Sequence, residues 1–268
     1  MRKSESGQAL LIVLLVMAVG LTMGLSVISR STTDIRISRQ EKESARAFSA
    51  AEAGIEQALL SSAGVSGNIG GIDYSVTPET QGGGTEFDFG GGKFAAGDTQ
   101  TVWLIEHTGS GELGGDSFPV GGQITVCWGE DTADKMAIEA SVIYKTTTGE
   151  FRVTRGAYDA DYGRGNGFDP ADNTGGGNCG NLAFAENINI IPASGTLYAL
   201  RLRLLYNDDF EPLAVSGSAD FPSQGKCYVS TATVQESGIT RKVRQCQSHK
   251  VPPAIFDYVL FSEGSLTK

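Results

Sequence analysis

The chain opens on an uninterrupted apolar run. From Gln8 to Ser29 no charged residue occurs, and Ala9 to Gly20 is almost entirely Leu, Ile, Val, Met and Ala. At about 1.5 Å per helical residue these 22 positions cover about 33 Å, the thickness of a hydrocarbon core. Arg2 and Lys3 precede the run, so the positive-inside bias predicts a cytoplasmic start with the bulk of the chain outside. No convincing Ala-x-Ala site stands just after Ser29, so the segment reads as a retained anchor and not as a secretory signal. The helical pattern then continues. Arg30 to Ser62 contains no proline, and Gly54 is its one glycine. Ile28 and Ile35 are seven apart. Phe48, Ala51, Ile55, Ala58 and Ser62 follow at spacings of three and four with Leu59 beside them, predicting one apolar stripe. Asp34, Arg36, Arg39, Glu41, Lys42, Glu43 and Arg46 solvate the early part, and Gly64 is the expected stop. A helix from Gln8 to Ser62 would have 55 residues and a length of about 82 Å.

Past Gly64 the period changes to two. Alternating or β-branched runs at Ile72–Thr77, Thr101–Glu106, Gln123–Trp128, Ala137–Lys145, Phe151–Ala157, Leu197–Tyr206 and Tyr228–Gln245 predict strands, separated by glycine clusters. Tyr158–Asn181 is the longest predicted loop. The expected fold class is α+β: a long N-terminal helix packed on a Gly-rich antiparallel β domain. The segments are 1–7, 8–29 (membrane half), 30–62 (amphipathic half) and 65–268 (exported β-rich domain).

Composition sharpens this division. Residues 1–62 carry seven Lys/Arg and six Asp/Glu, whereas the remainder carries fourteen and twenty-five, and 32 of the 36 glycines lie after residue 62. An acidic, Gly-rich domain with no basic block argues against nucleic acid, whose phosphates need clustered positive charge. Acidity of this kind ordinarily keeps a domain soluble.

The four cysteines allow three pairings. If Gln235–Gly238 is a four-residue hairpin loop, Cys227 and Cys246 are equidistant from it and fall opposite each other on neighbouring strands, close enough for a disulfide. Cys127 would then be left for Cys179, and export permits the oxidation. The alternative is four free thiols, with Cys127 a buried strand residue. Nothing has the spacing of a zinc site.

Asp159, Asp161, Asp169 and Asp172 lie in one Gly-rich loop whose oxygen donors suit calcium, although Gly163 stands where an EF-hand needs Asp or Asn. The same residues are ordinary turn formers. No other cofactor is implied. His107 and His249 have no catalytic motif around them, and neither a nucleophile elbow nor a phosphate-binding glycine loop occurs, so no enzyme is expected. Gly20 and Gly24 form a small-xxx-small pair of the kind that lets membrane helices approach closely.

The start Met1-Arg-Lys-Ser-Glu-Ser-Gly7 before the apolar run resembles a class III signal, a short basic leader ending in glycine. Arg46-Ala-Phe-Ser-Ala-Ala-Glu-Ala-Gly-Ile-Glu-Gln-Ala-Leu59 resembles the block closing the N-terminal helix of PilX-like minor pilins. The tail from Phe256 to Leu266 is similar to a segment of such proteins. The resemblance implies cleavage by prepilin peptidase after Gly7, a new N-terminus at Gln8, residence in the inner membrane, and assembly with other pilin subunits through the helix. It thereby implies a type IV pilus on the cell surface. Pilins of this family usually carry glutamate at the fifth mature position, here Ile12, to pair with a neighbour's terminal amine; a buried glutamate without that partner would be costly. Lacking it, the chain resembles tip or priming subunits and the K-type pseudopilins of type II secretion. A membrane-anchored adhesin is the alternative.

Overall fold

The computed structural model describes residues 6–108, 111–171, 179 and 181–258. The chain divides into two compact units, residues 1–78 with 228–245, and residues 79–227 with 246–268. The β-rich stretch 65–268, which the sequence presents as one domain, is thus shared between them.

In the first unit, helix α1 runs unbroken from Ser6 to Ser61. It ends at Ser62, whose φ of 54° is left-handed, two residues before the expected glycine stop. The strands of this unit are β1 (Val65–Ile69), most of β2 (Ile72–Gly82) and most of a hairpin formed by residues 223–248. The register of β1 on β2 is antiparallel, from Val65 opposite Val76 to Ile69 opposite Ile72.

Only the distal part of α1 packs. Ala47, Ala50, Ala51, Gly54, Ile55 and Ala58 are its buried positions, and they form cores with Ile72, Val76, Tyr228, Ala232 and Val234. Ala51, Ile55 and Ala58 of the expected stripe are buried, and its other members are corrected. Phe48 is 45% exposed and Leu59 36% exposed, and Ser62 is exposed as well. The buried stripe is shifted at one edge toward Ala47, Ala50 and Gly54, and side-chain size accounts for the shift. Small residues toward the sheet let the backbones approach closely, with Ile55 the one large side chain among them, while Phe48 and Leu59 are turned aside. Arg46 donates to the Gly70 carbonyl at 2.8 Å, Tyr74 to Gln57 Oε1 at 2.6 Å, and Arg241 to Ser44 Oγ at 2.7 Å, fastening α1 along its length.

The second unit holds the remaining strands: β3 (Glu86–Phe87), β4 (Lys93–Phe94), β5 (Thr99–Trp103), β6 (Ile105–His107), β7 (Leu113–Ser117), β8 (Ile124–Trp128), β9 (Ala137–Lys145), β10 (Phe151–Asp159), β11 (Asp169–Pro170), β12 (Phe184–Asn187), β13 (Thr196–Leu205) and β14 (Glu211–Gly217). The hairpin β15 (Ser223–Val234) and β16 (Thr240–Ser248) completes a four-stranded sheet of order β1-β2-β15-β16.

Two five-stranded sheets, β11-β10-β9-β13-β5 and a second containing β12-β8-β14-β3 with β4 on β14, share one apolar core. Strict alternation builds it. Ile138, Ala140 and Val142 of β9 and Leu200, Leu202 and Leu204 of β13 point inward, against Ile124, Val126 and Trp128 of β8 and Leu213 and Val215 of β14. Trp128 keeps its buried N–H satisfied by donating to the Met136 carbonyl at 3.3 Å. The short β3, β4, β11 and β12 escape the sequence pattern, because runs of two to four residues show no period.

Candidate functional site

The apolar part of α1 is the first candidate. From Leu10 to Ile28 every large hydrophobic side chain is exposed, between 43% at Val19 and 70% at Val27. The span beginning at Leu10 is long and apolar enough to cross a membrane, with a mean hydropathy of 2.7 over its best window. The one threonine of the charge-free run, Thr22, donates its hydroxyl to the Val19 carbonyl at 2.9 Å, which satisfies that donor within the helix. Ile12 is exposed, and nothing in the chain lies near the Cβ positions of Gly20 and Gly24. These two glycines leave a shallow notch on one helix face that another backbone can enter. Gly7 and Gln8 fall within the helix, and their side chains lie outside the described residues.

The cysteines are joined as two disulfides. Cys227 and Cys246 are 3.9 Å apart at Cα. The hairpin loop sets this pairing: Val234 and Ile239 bond across Gln235–Gly238 at 2.9 Å, and Thr233 meets Thr240 at 2.9 Å. Counting back in steps of two from Thr233–Thr240 places Cys227–Cys246 at a non-hydrogen-bonded position, where strands approach most closely. Cys127 points away from the sandwich core and is joined to Cys179, under cover of its ladder neighbours Ala185 and Ala214.

The acidic loop is built around an internal cation. Asp159, 3% exposed, accepts two hydrogen bonds from Arg164 at 3.2 and 3.3 Å and one from Asn166 at 2.6 Å. Its Oδ1 also accepts the Asp161 N–H at 2.8 Å. Asp161 turns toward Gly163, Lys135 and Arg164, and Asp169 is exposed in β11 beside Tyr158. Asp172 lies outside the described residues. Among the described residues, the Asp159 carboxylate is therefore engaged by Arg164 and Asn166. Among the described residues no three or more His, Cys, Asp or Glu side chains converge as a metal needs.

The histidines are closer than sequence alone could show. His107 at the end of β6 and His249 beyond β16 stack at 3.8 Å and 4°, with Trp103 edge-on to His107 at 4.7 Å. Burial lowers the pKa of both, with His249 adding to the effect on His107 and Lys226 to that on His249. A signal for this pair was absent because 142 residues separate the two in the chain.

Comparison with known proteins singles out α1. A family model described as PilX N-terminal matches residues 6–56. No curated protein and no solved structure matches the chain. The matched segment covers the whole exposed apolar run and most of the packed half of α1, the two parts that the geometry distinguishes. Over residues 6–56 the chain is similar to the N-terminal helix of PilX-like pilins of the type IV pilus, and it carries that helix on an α+β fold rich in antiparallel sheet.

Proposed function

We propose that this chain is a minor pilin, processed after Gly7 and held by α1 in the inner membrane before entering a type IV pilus at a priming or tip position. The carrying observation is the contrast along one helix: every large hydrophobic side chain from Leu10 to Ile28 is exposed, while Ala47, Ala50, Ala51, Ile55 and Ala58 are buried. A rod held firmly by its distal half, with its proximal half bare, presents the bare half to lipid and then to neighbouring helices. The role is structural and not enzymatic. In the membrane, packing between helices replaces lipid contact, with Gly20 and Gly24 allowing close approach. Ile12 supports the terminal position, because an apolar residue there offers no carboxylate to a neighbour's terminal amine.

Mass analysis of the N-terminus tests the processing. The expected mature chain begins at Gln8, and Gly7→Phe should leave the leader attached. An intact Met1 in the native protein, or a cut beyond Ser29, would favour a plain membrane anchor or a secreted domain.

A further inference from the structure

Three stretches of the second unit converge on the stacked histidines. Trp103 ends β5, His107 ends β6, and His249 stands one residue past β16. The backbone at His249 is firmly placed. Cys246, three residues earlier, is bridged to Cys227, and the His249 N–H donates to the Gln224 carbonyl at 3.0 Å. Gln224 is itself buried and clamps the Trp103 backbone, accepting its N–H at 2.7 Å and donating to its carbonyl at 2.9 Å.

The hairpin that carries His107 is held less firmly. β6 and β7 form a two-stranded sheet, with Ile105 opposite Ser117 and His107 opposite Leu113. Ile105 and the flanking Leu104 and Phe118 are buried at its base, whereas Glu106, Glu112, Leu113 and Asp116 are exposed. Toward its outer end the His107 ring is what packs, flat on His249 at 3.8 Å and 4°, with Trp103 edge-on at 4.7 Å. His107 Nδ1 is buried and has no hydrogen-bond partner among the described residues. An imidazolium carries a donor on both nitrogens, so protonation fixes a buried donor there without an acceptor.

The charges around the pair do not favour its protonation. Lys226 of β15 acts on His249, and no carboxylate offsets it among the described residues. Glu106 precedes His107 but alternation turns it to the other side of β6, where it accepts the Asp116 N–H at 3.4 Å. Lys250, beyond His249, is exposed and of the same sign as Lys226.

We propose that the His107–His249 stack is a proton-operated latch, which closes the β6–β7 hairpin at neutral pH and releases it in mildly acidic surroundings. A first imidazolium is tolerated, because a cation is attracted to the face of a π ring. The second proton places two like charges face to face with Lys226 beside them, and the stack parts. The bridge and Gln224 hold the backbone at His249, so the piece that moves is the hairpin bearing His107. Burial holds both rings below the ordinary 6.5. The latch is therefore fully closed above that value and opens as pH falls through the lower folded values.

The test uses the full chain in detergent micelles. Hydrogen exchange, corrected for the intrinsic effect of pH, should be about tenfold faster at pH 5 than at pH 7.5 for residues 105–107 and 113–117, with β9 and β13 unchanged. NMR of the labelled imidazoles should show two linked titration steps below 6.5. His249→Gln should raise the pKa of His107 and remove most of the acid-induced acceleration. Equal exchange of the hairpin at both pH values overturns the latch. So does an acceleration shared by β9 and β13, which reports global unfolding, or one that persists in full in His249→Gln. The wild-type comparison needs no substitution, so a variant that fails to fold leaves the proposal open to refutation.

Discussion

Gly54 gives the sharpest test of how α1 is seated. Glycine inside a helix costs about 1 kcal/mol relative to alanine, so on propensity alone Gly54→Ala should stabilise. The packing predicts the reverse. A Cβ at this position would lie 2.7 Å from Tyr74 Cδ2, 3.0 Å from Val76 Cγ2 and 3.2 Å from Ser230 Oγ. Non-bonded carbons prefer about 3.5–4.0 Å, so the ring has to move. It has little room. Tyr74 Oη is fixed to Gln57 at 2.6 Å, and on its other side the ring covers Gly67, where a Cβ would come within 2.6 Å of the same oxygen. Overpacking of this kind costs about 1–3 kcal/mol. Against the propensity gain, the net expectation is a loss of about 1 kcal/mol, and Gly54→Val should lose more. Hydrogen exchange of amides in β2 and β15 reads this locally, because about 1 kcal/mol corresponds to a roughly fivefold faster opening. In a Tyr74→Ala background the ring is gone, and Gly54→Ala should then be close to neutral. The reasoning fails if Gly54→Ala slows exchange, or if its effect is the same with and without the Tyr74 ring.

Three further outcomes follow from the second unit. Replacing both cysteines of a bridge by serine should cost about 3 kcal/mol for Cys227–Cys246 and about 4 kcal/mol for Cys127–Cys179, since the closed loops span 19 and 52 residues; denaturant melts that rank them in the opposite order would contradict the loop-entropy account. Asp159→Ala should destabilise by about 2 kcal/mol by leaving Arg164 only the more distant Asp161 carboxylate, and millimolar calcium should leave the wild-type melting temperature unchanged; a calcium-dependent rise would restore the loop as an ion site. The stacked histidines set a pH dependence. Both have pKa values below the ordinary 6.5, so the unfolded chain binds more protons as pH falls. Their contribution is intact above about pH 6.5 and declines as pH drops from there through the lower folded values. Melts between pH 7.5 and 5 should show this decline reduced in His249→Gln; an equal decline would remove the pair as its source.

What could be read from the chain alone is what is local and periodic. The charge-free run from Gln8 to Ser29, the helical spacing through Ala58, and the period of two in β8, β9, β10 and β13 each state their own conformation, because backbone geometry imposes the period on any sequence that buries one face. The Cys227–Cys246 bridge was legible for a similar reason: a short loop fixes the register of the two strands that flank it. Three things waited for the tertiary structure. Which edge of α1 meets the sheet depended on backbone approach, so small Ala47, Ala50 and Gly54 went inward and Phe48 outward. The ion pair of Asp159 with Arg164 depended on where the loop brought Arg164 to lie. The meetings of His107 with His249, and of Arg201 with Asp257, were invisible in the sequence because each joins segments far apart in the chain. Such contacts carry no period, and only the folded arrangement of the strands brings them together.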